Sequence, residues 1–486
     1  MKFSLLLLLI TLESVNANAD SIRIGVPNPI ISLEPTSTTN AQERFLLPLL
    51  FQPLFYIDQN GSIRPTLAEN YEETKKGTVK LKIKADQYFS DGSRVTANDV
   101  VNSVNALCGK GSYNLIPIRT LIGCEKNKQP RVRLLSSREV EFKISGSINY
   151  FLYELASPFL FIFKNTPSGI IGSGEFKKKS LNQADAVIER VKLKPGMPSE
   201  LDLIYIKEKD VTDNLNRGKI DIASMYVERD IKTLNVERFK KISTSNDIVT
   251  LITLNPKRLS NVPSDLLGQI SDELKNDSTL TKCDVSKISA YGIVPEGIGG
   301  YLYSSPRENP HRPIKLIHKL ELNLHVASDR LVECEIASFT RILADHNIII
   351  KMTYDKDYNK LKLMYGTDKI DGYLEHFVFY TRDAGRFFSR FTQKSNAPVF
   401  YIQSKKIEKL LKDAENVGEI YSRFEIYRKI NNVIEGYRNL FPLNYMAHSI
   451  VWNQCIGFKD SSDNIPTNPN TFLFLSDAIK TKCDGQ

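Results

Sequence analysis

A strand, a helix and a second strand follow one another in the second half of the chain, and this order restricts the fold more than any other feature. Residues 319–329 (KLELNLHVASD) alternate apolar and polar side chains, as a half-buried strand does. Apolar residues between Val332 and Leu343 then recur at helical spacing, and residues 347–352 (NIIIKM) form a second strand pattern. Two strands joined in this way pair in parallel through a right-handed crossover. With further strands and helices on either side, the order predicts an α/β protein.

The length of 486 residues allows two or three domains, at roughly 100–200 residues per domain. The composition, 41% hydrophobic and 25% charged, is that of an ordinary soluble globular protein. The formal net charge is +9, but the excess of Lys and Arg is spread along the chain in short runs such as FKKKS and SKKIEKLLK. A nucleic-acid-binding protein needs a clustered basic patch with a recognised module. The sequence offers neither, so we expect no nucleic acid partner.

The N-terminus carries the pattern of a secretory signal peptide. One positive residue precedes an apolar run from Phe3 to Leu12, which is shorter than the about 20 residues that span a membrane. The segment ends in Ala17-Asn18-Ala19, a small-x-small cleavage pattern. Residues 1–19 are therefore predicted to be a signal peptide that is cleaved after Ala19, which leaves a soluble mature protein outside the cytoplasm.

That compartment decides how the six cysteines are interpreted, because disulfides form and persist in an oxidising space. The cysteines are even in number, and none stands in a CxxC pair. We favour Cys108–Cys124 and Cys455–Cys483, since each pair closes one local loop. Buried free thiols are the alternative for either pair. Cys334 lies on a helical pattern and is expected to be a plain core residue.

Several short segments occur in the order in which one family carries them. FSDGSRVTANDVVNS, residues 89–103, resembles the FsDGtplTAeDVvfS segment of the family 5 extracellular solute-binding proteins, the peptide- and dipeptide-binding subunits that serve ABC importers. The matches span about residue 22 to residue 458, nearly the whole mature chain. Further segments with such a resemblance are SLEPTSTTN, NGSIRPTLAENYE, GSGEFKKKS, NRGKIDIA, GIVPEGIGGY and RFEIYRKINNVIEGYRNLFPLNY.

The resemblance implies a type II periplasmic-binding-protein fold, in which two lobes surround a hinged ligand cleft. Lobe I would be discontinuous, with residues 20–250 plus 450–486, and lobe II would comprise residues 256–449. The hinge would pass near Thr253-Leu254-Asn255 and near Ile450-Val451. Ligand that touches both lobes stabilises the closed state, a Venus-flytrap closure. The resemblance also implies a monomer in the periplasm, without a cofactor, that docks on an ABC transporter membrane permease.

The resemblance assigns ligand contacts to four places, of which three lie in the N-terminal third of the chain. Thr38, Thr39 and Asn40 follow the loop at LEP, where family members line the cleft with backbone. Tyr113, in KGSYNL, matches an aromatic residue that faces ligand in relatives. Ser157, in ELASP, matches a position at the cleft edge.

The fourth place is IDGYLEHFVFYTRDAGRFF, residues 370–388, where the match weakens. Peptide-binding relatives read fDvar.gW.aDy.dP, and their acid after the Trp pairs with the α-ammonium of the peptide. Phe377 takes the place of the Trp and Tyr380 that of the acid, although a buried ammonium without a counter-charge costs several kcal/mol. Glu375 or Asp383 could supply the acid only from a shifted register. The family's Arg after the first hinge is also missing from SDLLGQIS.

Three functions stay open on these residues. An oligopeptide is the first expectation, because an extended peptide can be held mostly by main-chain hydrogen bonds and roomy pockets. A non-peptide solute, such as an oligosaccharide, an opine or a metal chelate, is the second, and a chaperone or sensor relative without a role in uptake is the third. No catalytic motif stands in the context that its chemistry needs, and the scattered histidines predict no metal site, so we expect no enzyme. The aromatic set that would contact the solute is Tyr373, Phe377, Phe379, Tyr380 and Phe387.

Overall fold

The computed structural model describes the chain from residue 21 onward, so the cleavage site expected after Ala19 lies outside the described residues. No helix in the described part of the chain is long and apolar enough to cross a membrane. The structure describes residues 21–38, 41–58, 62–108, 116–124, 129–227, 234–235, 237–243, 247–277, 279, 288–302, 314–327, 333–355, 358–393, 399–458, 475 and 478–480.

Short strands dominate the first half of the chain, and helices are longer in the second half. The strands are β1 (Ser21–Val26), β2 (Gln52–Pro53), β3 (Phe55–Ile57), β4 (Ile63–Pro65), β5 (Ala68–Lys75), β6 (Thr78–Ile83), β7 (Val132–Leu134), β8 (Glu139–Lys143), β9 (Phe161–Ile162), β10 (Lys164–Thr166), β11 (Gly169–Ile171), β12 (Phe176–Asn182), β13 (Asp185–Arg190), β14 (Glu200–Tyr205), β15 (Ile222–Val227), β16 (Phe239–Ser243), β17 (Ile248–Leu254), β18 (Ile288–Ser289), β19 (Leu320–Ala327), β20 (Ile348–Asp355), β21 (Gly372–Val378), β22 (Leu440–Met446), β23 (His448–Asn453), β24 (Ile456–Phe458) and β25 (Ala478–Lys480). The helices are α1 (Ala41–Leu50), α2 (Ala97–Cys108), α3 (Ile116–Ile122), α4 (Ile148–Leu155), α5 (Val211–Asn216), α6 (Ser264–Asn276), α7 (Glu333–Asp345), α8 (Tyr358–Lys362), α9 (Gly385–Phe388), α10 (Lys405–Glu415) and α11 (Ile420–Glu435).

Two large mixed sheets organise the molecule. A seven-stranded sheet has the order β12-β13-β14-β1-β15-β23-β16, and a six-stranded sheet has the order β18-β22-β17-β21-β19-β20. A four-stranded antiparallel sheet, β5-β6-β8-β7, is formed by the part of the chain between β1 and β12 of the seven-stranded sheet. We call the described residues from β1 to β16 and from β23 onward lobe I, and those from β17 to β22 lobe II. The prediction of an α/β fold is confirmed.

The strand–helix–strand unit that restricted the fold is confirmed in lobe II. Strands β19 and β20 pair in parallel over their whole length, and β19 also pairs in parallel with β21. Helix α7 connects β19 to β20 and buries Ile336, Phe339 and Leu343 in an apolar core that it shares with the sheet. The helical spacing predicted from the sequence runs through Val332 and these three residues, and the three therefore lie on the side of α7 that packs on the sheet.

The turn before α2 forms at Asp91-Gly92, as this turn dipeptide predicts, but the cap of the helix differs from the one that its sequence predicts. Gly92 adopts a φ of +83°, which a side chain would strain. The sequence predicts a cap in which the Thr96 hydroxyl accepts the backbone amide of Asn98 or Asp99. Instead the Asp99 carboxylate accepts hydrogen bonds from the Thr96 N–H at 2.8 Å and from the Thr96 hydroxyl at 2.6 Å. An ionised carboxylate is the stronger acceptor, so the hydroxyl becomes the donor.

One of the two favoured disulfides is confirmed. Cys108, at the end of α2, is bonded to Cys124, just after α3, with 5.9 Å between their Cα atoms. Cys455 takes part in a disulfide, and β24 beside it pairs with β25, but its expected partner Cys483 lies outside the described residues. Cys334 lies in α7, and its side chain also falls outside the described part.

The chain passes between the two lobes twice. The first crossing lies between β16 and β17, and the second is at Ala447, between β22 and β23. Thr253 and Leu254 hydrogen-bond within the lobe II sheet, and Ile450 and Val451 within the lobe I sheet. Both crossings thus precede the expected hinge positions, because the apolar residues near those positions extend the strands of the two sheets.

Candidate ligand site between the lobes

Three of the expected ligand contacts, Thr39, Asn40 and Tyr113, lie outside the residues that the structure describes. Thr38 is half-buried, and its hydroxyl and carbonyl oxygens accept hydrogen bonds from Arg44 at 2.7 Å and 3.5 Å. Arg44 belongs to α1 and is itself buried. A guanidinium therefore ties the loop that the sequence assigns to the ligand to the first helix of lobe I.

Four of the expected aromatic contacts pack inside lobe II. Tyr373, Phe377, Phe379 and Phe387 are all buried and belong to one apolar core of that lobe. The ring centroids of Phe377 and Phe400 lie 4.9 Å apart, and those of Phe379 and Phe387 lie 4.8 Å apart. The odd-numbered residues of β21 share one face of the strand, and here that face is the core. These four rings therefore belong to the apolar core of lobe II.

Tyr380, in contrast, lies between the two lobes. Its ring is half-buried and lies 5.3 Å from the ring of Phe45 in α1 and 5.0 Å from the ring of Phe159. Both partners belong to lobe I, whereas Tyr380 follows β21 of lobe II. The position at which the peptide-binding pattern has an acid thus holds an aromatic contact across the cleft.

A buried ion pair, which the sequence did not reveal, joins the lobes beside this contact. Arg386 in α9 of lobe II donates a hydrogen bond from Nη2 to the carboxylate of Glu154 in α4 of lobe I. The same nitrogen lies 3.1 Å from the hydroxyl of Ser157, the expected cleft-edge residue. The guanidinium also lies 3.9 Å from the ring centroid of Phe159, within cation–π range.

This ion pair is almost completely removed from solvent. Only 3% of Glu154 and 8% of Arg386 are exposed. Burial raises the pKa of the Glu154 carboxyl, although the charge of Arg386 acts in the opposite direction. Nη1 of Arg386 is buried and has no hydrogen-bond partner among the described atoms. Breaking such a pair by removing one member is strongly unfavourable, because the other charge is left buried and uncompensated.

A second buried charge pair lies within lobe II and packs against α4. Arg423 of α11 donates to the carboxylate of Asp383 at 2.8 Å, and the Tyr427 hydroxyl donates to the same group at 2.7 Å. The Arg423 guanidinium lies 4.8 Å from the ring centroid of Tyr150 in α4. Asp383, one of the two acids that a shifted register would offer to an ammonium, is therefore already bound. Glu375, the other, is buried and accepts a hydrogen bond inside lobe II.

A cavity of about 630 Å³ opens between the lobes next to these contacts. Lobe I contributes Thr120 of α3 and Tyr150 of α4, and lobe II contributes Ser389, Lys409 and Glu415 among others. Cavities of roughly 300–1,000 Å³ are the usual size of small-molecule sites. Both lobes therefore line a space that a small solute fits.

Main-chain contacts close the lobes where α10 ends. The Ser147 N–H donates to the Glu415 carbonyl at 2.8 Å, and the Asn149 side-chain amide donates to the Gly418 carbonyl at 3.2 Å. A Cβ atom on Gly146 would lie only 2.8 Å from the Glu415 carbonyl oxygen. A glycine at this position therefore permits the close approach of the lobes.

The two crossings of the chain meet at His448 and Asp247. Both residues are buried, and His448 Nδ1 lies 3.7 Å from Asp247 Oδ1, beyond hydrogen-bond range. Burial lowers the pKa of His448 to about 4. The imidazole is therefore neutral at pH 7, and its ring packs on Phe45 at a centroid distance of 6.2 Å.

The described residues show no metal centre. No three His, Cys, Asp or Glu side chains among them lie close enough together to hold an ion. The Nδ1 atom of His325 lies 2.8 Å from an Asp355 carboxylate oxygen at the edge of the lobe II sheet, as a simple pair. We assign no metal ligand and no cofactor-binding residue in this part of the chain.

Residues 62–267 match the sequence model of the family described as bacterial extracellular solute-binding proteins, family 5 middle. No curated protein sequence matches the chain. Among solved structures, the chain resembles the periplasmic binding protein DppA of Helicobacter pylori in complex with the peptide STSA, with a TM-score of 0.78 and 14% identity over 95% of this chain and 98% of that one.

Two further solved structures have the same fold. The murein tripeptide binding protein MppA of Escherichia coli matches with a TM-score of 0.78 and 13% identity over 96% of this chain and 99% of that one. AgaA of A. tumefaciens R10, in complex with agropinic acid, matches with a TM-score of 0.77 and 16% identity over 96% and 99% of the two chains. These likenesses confirm the two-lobed periplasmic-binding-protein fold.

Proposed function

We propose that this chain is a member of the family 5 bacterial extracellular solute-binding proteins, and that it captures a small solute between its lobes and delivers it to the membrane permease of an ABC importer. The cavity of about 630 Å³ that both lobes line is the observation that carries this proposal. A solute that touches both lobes stabilises the closed form by the difference in its affinity for the closed and open forms. Since the family is described as solute-binding, we propose that the protein is not an enzyme.

An oligopeptide is the first candidate for the solute. The related structures named above include one with the peptide STSA and one that is a murein tripeptide binding protein. A peptide can be held by main-chain hydrogen bonds to strand ends and loops, which do not require one particular side chain at the Tyr380 position.

A non-peptide solute is the second candidate, and the aromatic contact at Tyr380 favours it. No acid replaces the one that pairs with a peptide ammonium at this position, and AgaA, which resembles this chain, was solved with agropinic acid. An opine, a metal chelate or an oligosaccharide belongs to this class. A chaperone or sensor relative without uptake is the remaining alternative.

The members of this family are extracellular or periplasmic. We propose that residues 1–19 direct export, that cleavage follows Ala19, and that the mature protein works in the periplasm as a monomer without a nucleic acid partner. The hinge of its closure would lie at the crossings beside Asp247 and Ala447, which sets the boundaries of lobes I and II. The proposed solute contacts are Thr38, Thr39, Asn40, Tyr113 and Ser157 from lobe I and Tyr380 from lobe II.

Thermal unfolding with solute libraries tests the proposal. A pool of tripeptides and tetrapeptides should raise the melting temperature, because a ligand that binds only the folded form stabilises it by mass action. A shift with an opine, sugar or chelate library alone would establish the second candidate. No shift with any of these libraries, for protein that has been stripped of bound solute, would contradict capture.

A further inference from the structure

We propose that Glu154 and Arg386 form a latch between the lobes which the incoming solute must open, so that the cleft selects solutes that carry both an ammonium and a carboxylate. This inference rests on the proposed capture of a solute between the lobes. It assigns each charge of the solute to one lobe, the ammonium to Glu154 in lobe I and the carboxylate to Arg386 in lobe II.

The charge balance around the latch shows why the two side chains depend on each other. Four buried charged groups lie together at this place, two acids and two guanidiniums. Asp383 and Arg423 neutralise one another within lobe II, and the interlobe contact pairs the remaining two, Glu154 and Arg386. If the lobes separate, both members of the latch lose their partner at once. Water can compensate them in the open form, but only opposite charge can do so in the closed form.

The solute that closes the lobes must therefore replace two partners. A neutral solute wedged between α4 and α9 would leave both Glu154 and Arg386 buried without a counter-charge, and a singly charged solute would leave one of them so. A solute with an ammonium and a carboxylate forms an ion pair with each. The closed form then keeps every buried charge compensated, which a neutral sugar does not achieve.

The hydrogen bonds of Arg386 fit this exchange. Its Nη2 donates hydrogen bonds to Glu154 and Ser157, while its buried Nη1 has no hydrogen-bond partner among the described atoms. A guanidinium presents its N–H groups as a planar fork that matches the two oxygens of a carboxylate. The Ser157 hydroxyl donates to the Glu154 carbonyl oxygen at 2.6 Å, so it holds its place just after the end of α4 when the latch opens.

The latch also accounts for the missing acid in lobe II. Tyr380 stands where peptide-binding relatives have the partner of the ammonium, and it packs against Phe159. Arg386 lies on the same Phe159 ring, and its partner Glu154 comes from the opposite lobe. The carboxylate that the ammonium requires is thus supplied by lobe I.

Small-angle X-ray scattering of the solute-free protein tests the latch. Arg386→Gln and Glu154→Gln each leave one charge uncompensated in the closed form, so each should shift the solute-free protein to a larger radius of gyration. The double variant Glu154→Gln/Arg386→Gln removes both charges and should return to the wild-type radius. Lys351→Gln, which breaks an exposed ion pair with Glu321 within lobe II, is the matched control and should change nothing. Single variants with the wild-type radius would overturn the latch.

Calorimetry with trialanine, N-acetyl-trialanine and trialanine amide tests the selection. Wild type should bind trialanine at least about tenfold more tightly than either blocked form, since each loses one buried ion pair. Glu154→Gln should bind trialanine and N-acetyl-trialanine with equal affinity. Arg386→Gln should bind trialanine and trialanine amide with equal affinity. Equal affinity for the three peptides would overturn the inference and leave the proposed function standing. Binding of neutral sugars alone would overturn it too, and if no probe binds, the scattering experiment decides.

Discussion

At the scale of single residues, Tyr380 defines the character of the cleft. It brings an aromatic ring to a place where the family pattern has a carboxylate, and its contacts with Phe45 and Phe159 come from the opposite lobe. Aromatic pairs of this kind contribute roughly 0.5–1.5 kcal/mol beyond the burial of their area. We therefore expect Tyr380 to contribute more to closure of the lobes than to the fold of either one.

We expect Tyr380→Ala to weaken solute binding by about tenfold, because the closed form loses its aromatic contact between the lobes. The melting temperature of the solute-free variant should stay close to that of wild type. Tyr373→Ala is the control, since this buried ring is stacked on Tyr365 inside lobe II and its loss should cost about 3–5 kcal/mol of stability. Calorimetry and thermal unfolding measure both quantities. An equal loss of affinity and stability in Tyr380→Ala would make its role structural.

His448 should make the protein less stable in acid. Its pKa is lowered to about 4 in the folded state, against about 6.5 in an unfolded chain, so the folded state resists protonation. The stability that the neutral imidazole contributes is fully present above pH 6.5 and is lost as the pH falls from about 6.5 to 4. By pH 4 the free energy of unfolding should have decreased by about 3 kcal/mol. Denaturant unfolding at several pH values measures this loss. The variant His448→Gln should flatten the profile between those values, and an unchanged profile would contradict the assignment.

The latch shows what sequence cannot give at this scale. Cys108 and Cys124 stand close together in the chain, so their pairing could be predicted from a local loop. Glu154 and Arg386 are 232 positions apart in the chain. Nothing in either segment indicates that the other exists. Only the docking of α4 on α9 brings the two charges together.

At the scale of elements, the bond between the ends of α2 and α3 holds together the part of lobe I that faces the cavity. Helix α3 has only seven residues, and one of its residues, Thr120, lines the cavity. Helices of this length are marginal on their own and depend on tertiary contacts.

Removal of this bond should destabilise lobe I. For the double variant Cys108→Ser/Cys124→Ser, with a sequence separation of 16 residues, we expect a loss of about 3 kcal/mol in the free energy of unfolding. Denaturant titration measures it. Thiol counting under denaturing, non-reducing conditions is the check on wild type, in which the two favoured disulfides leave at most two of the six cysteines free; four or more free thiols would contradict the favoured pairs taken together.

The junction of α4 with the end of α10 should tolerate no side chain at Gly146. In Gly146→Ala the new methyl group would press on the Glu415 carbonyl, so the closed form should lose about 1–3 kcal/mol and the solute should bind more weakly. Gly169→Ala is the matched control, because Gly169 has a similar φ of +120° but nothing nearer than 3.9 Å. Scattering and calorimetry compare the two. Equal behaviour of the variants would show that backbone strain alone is responsible.

Most strands and helices that the sequence predicts are present in the structure. The sequence does not tell which face of an element packs in a core and which face lines the cleft. The residues of β21 alternate correctly, but the pattern does not say whether Tyr373 and Phe377 face a core or a cleft. Both environments favour aromatic side chains. The packing of α9 and α10 against that face decides the matter, and it depends on contacts outside the segment.

At the scale of the whole molecule, two sheets joined by two crossings form a clamp around a cavity. The α/β order and the two lobes follow from the sequence, because strand periodicity and the family segments extend over the whole mature chain. The positions of the crossings do not, since β17 and β22 have the same apolar strand pattern on either side of a hinge. Their sheet is fixed by pairing with β21 and with each other.

Native mass spectrometry of protein purified from its own periplasm, without unfolding or dialysis, tests the central claim most directly. Our account predicts one small-molecule adduct of defined mass per chain, lost on unfolding, whose structure carries an ammonium and a carboxylate. Protein that carries no adduct in this preparation, and takes up no solute from a periplasmic extract, would contradict the account.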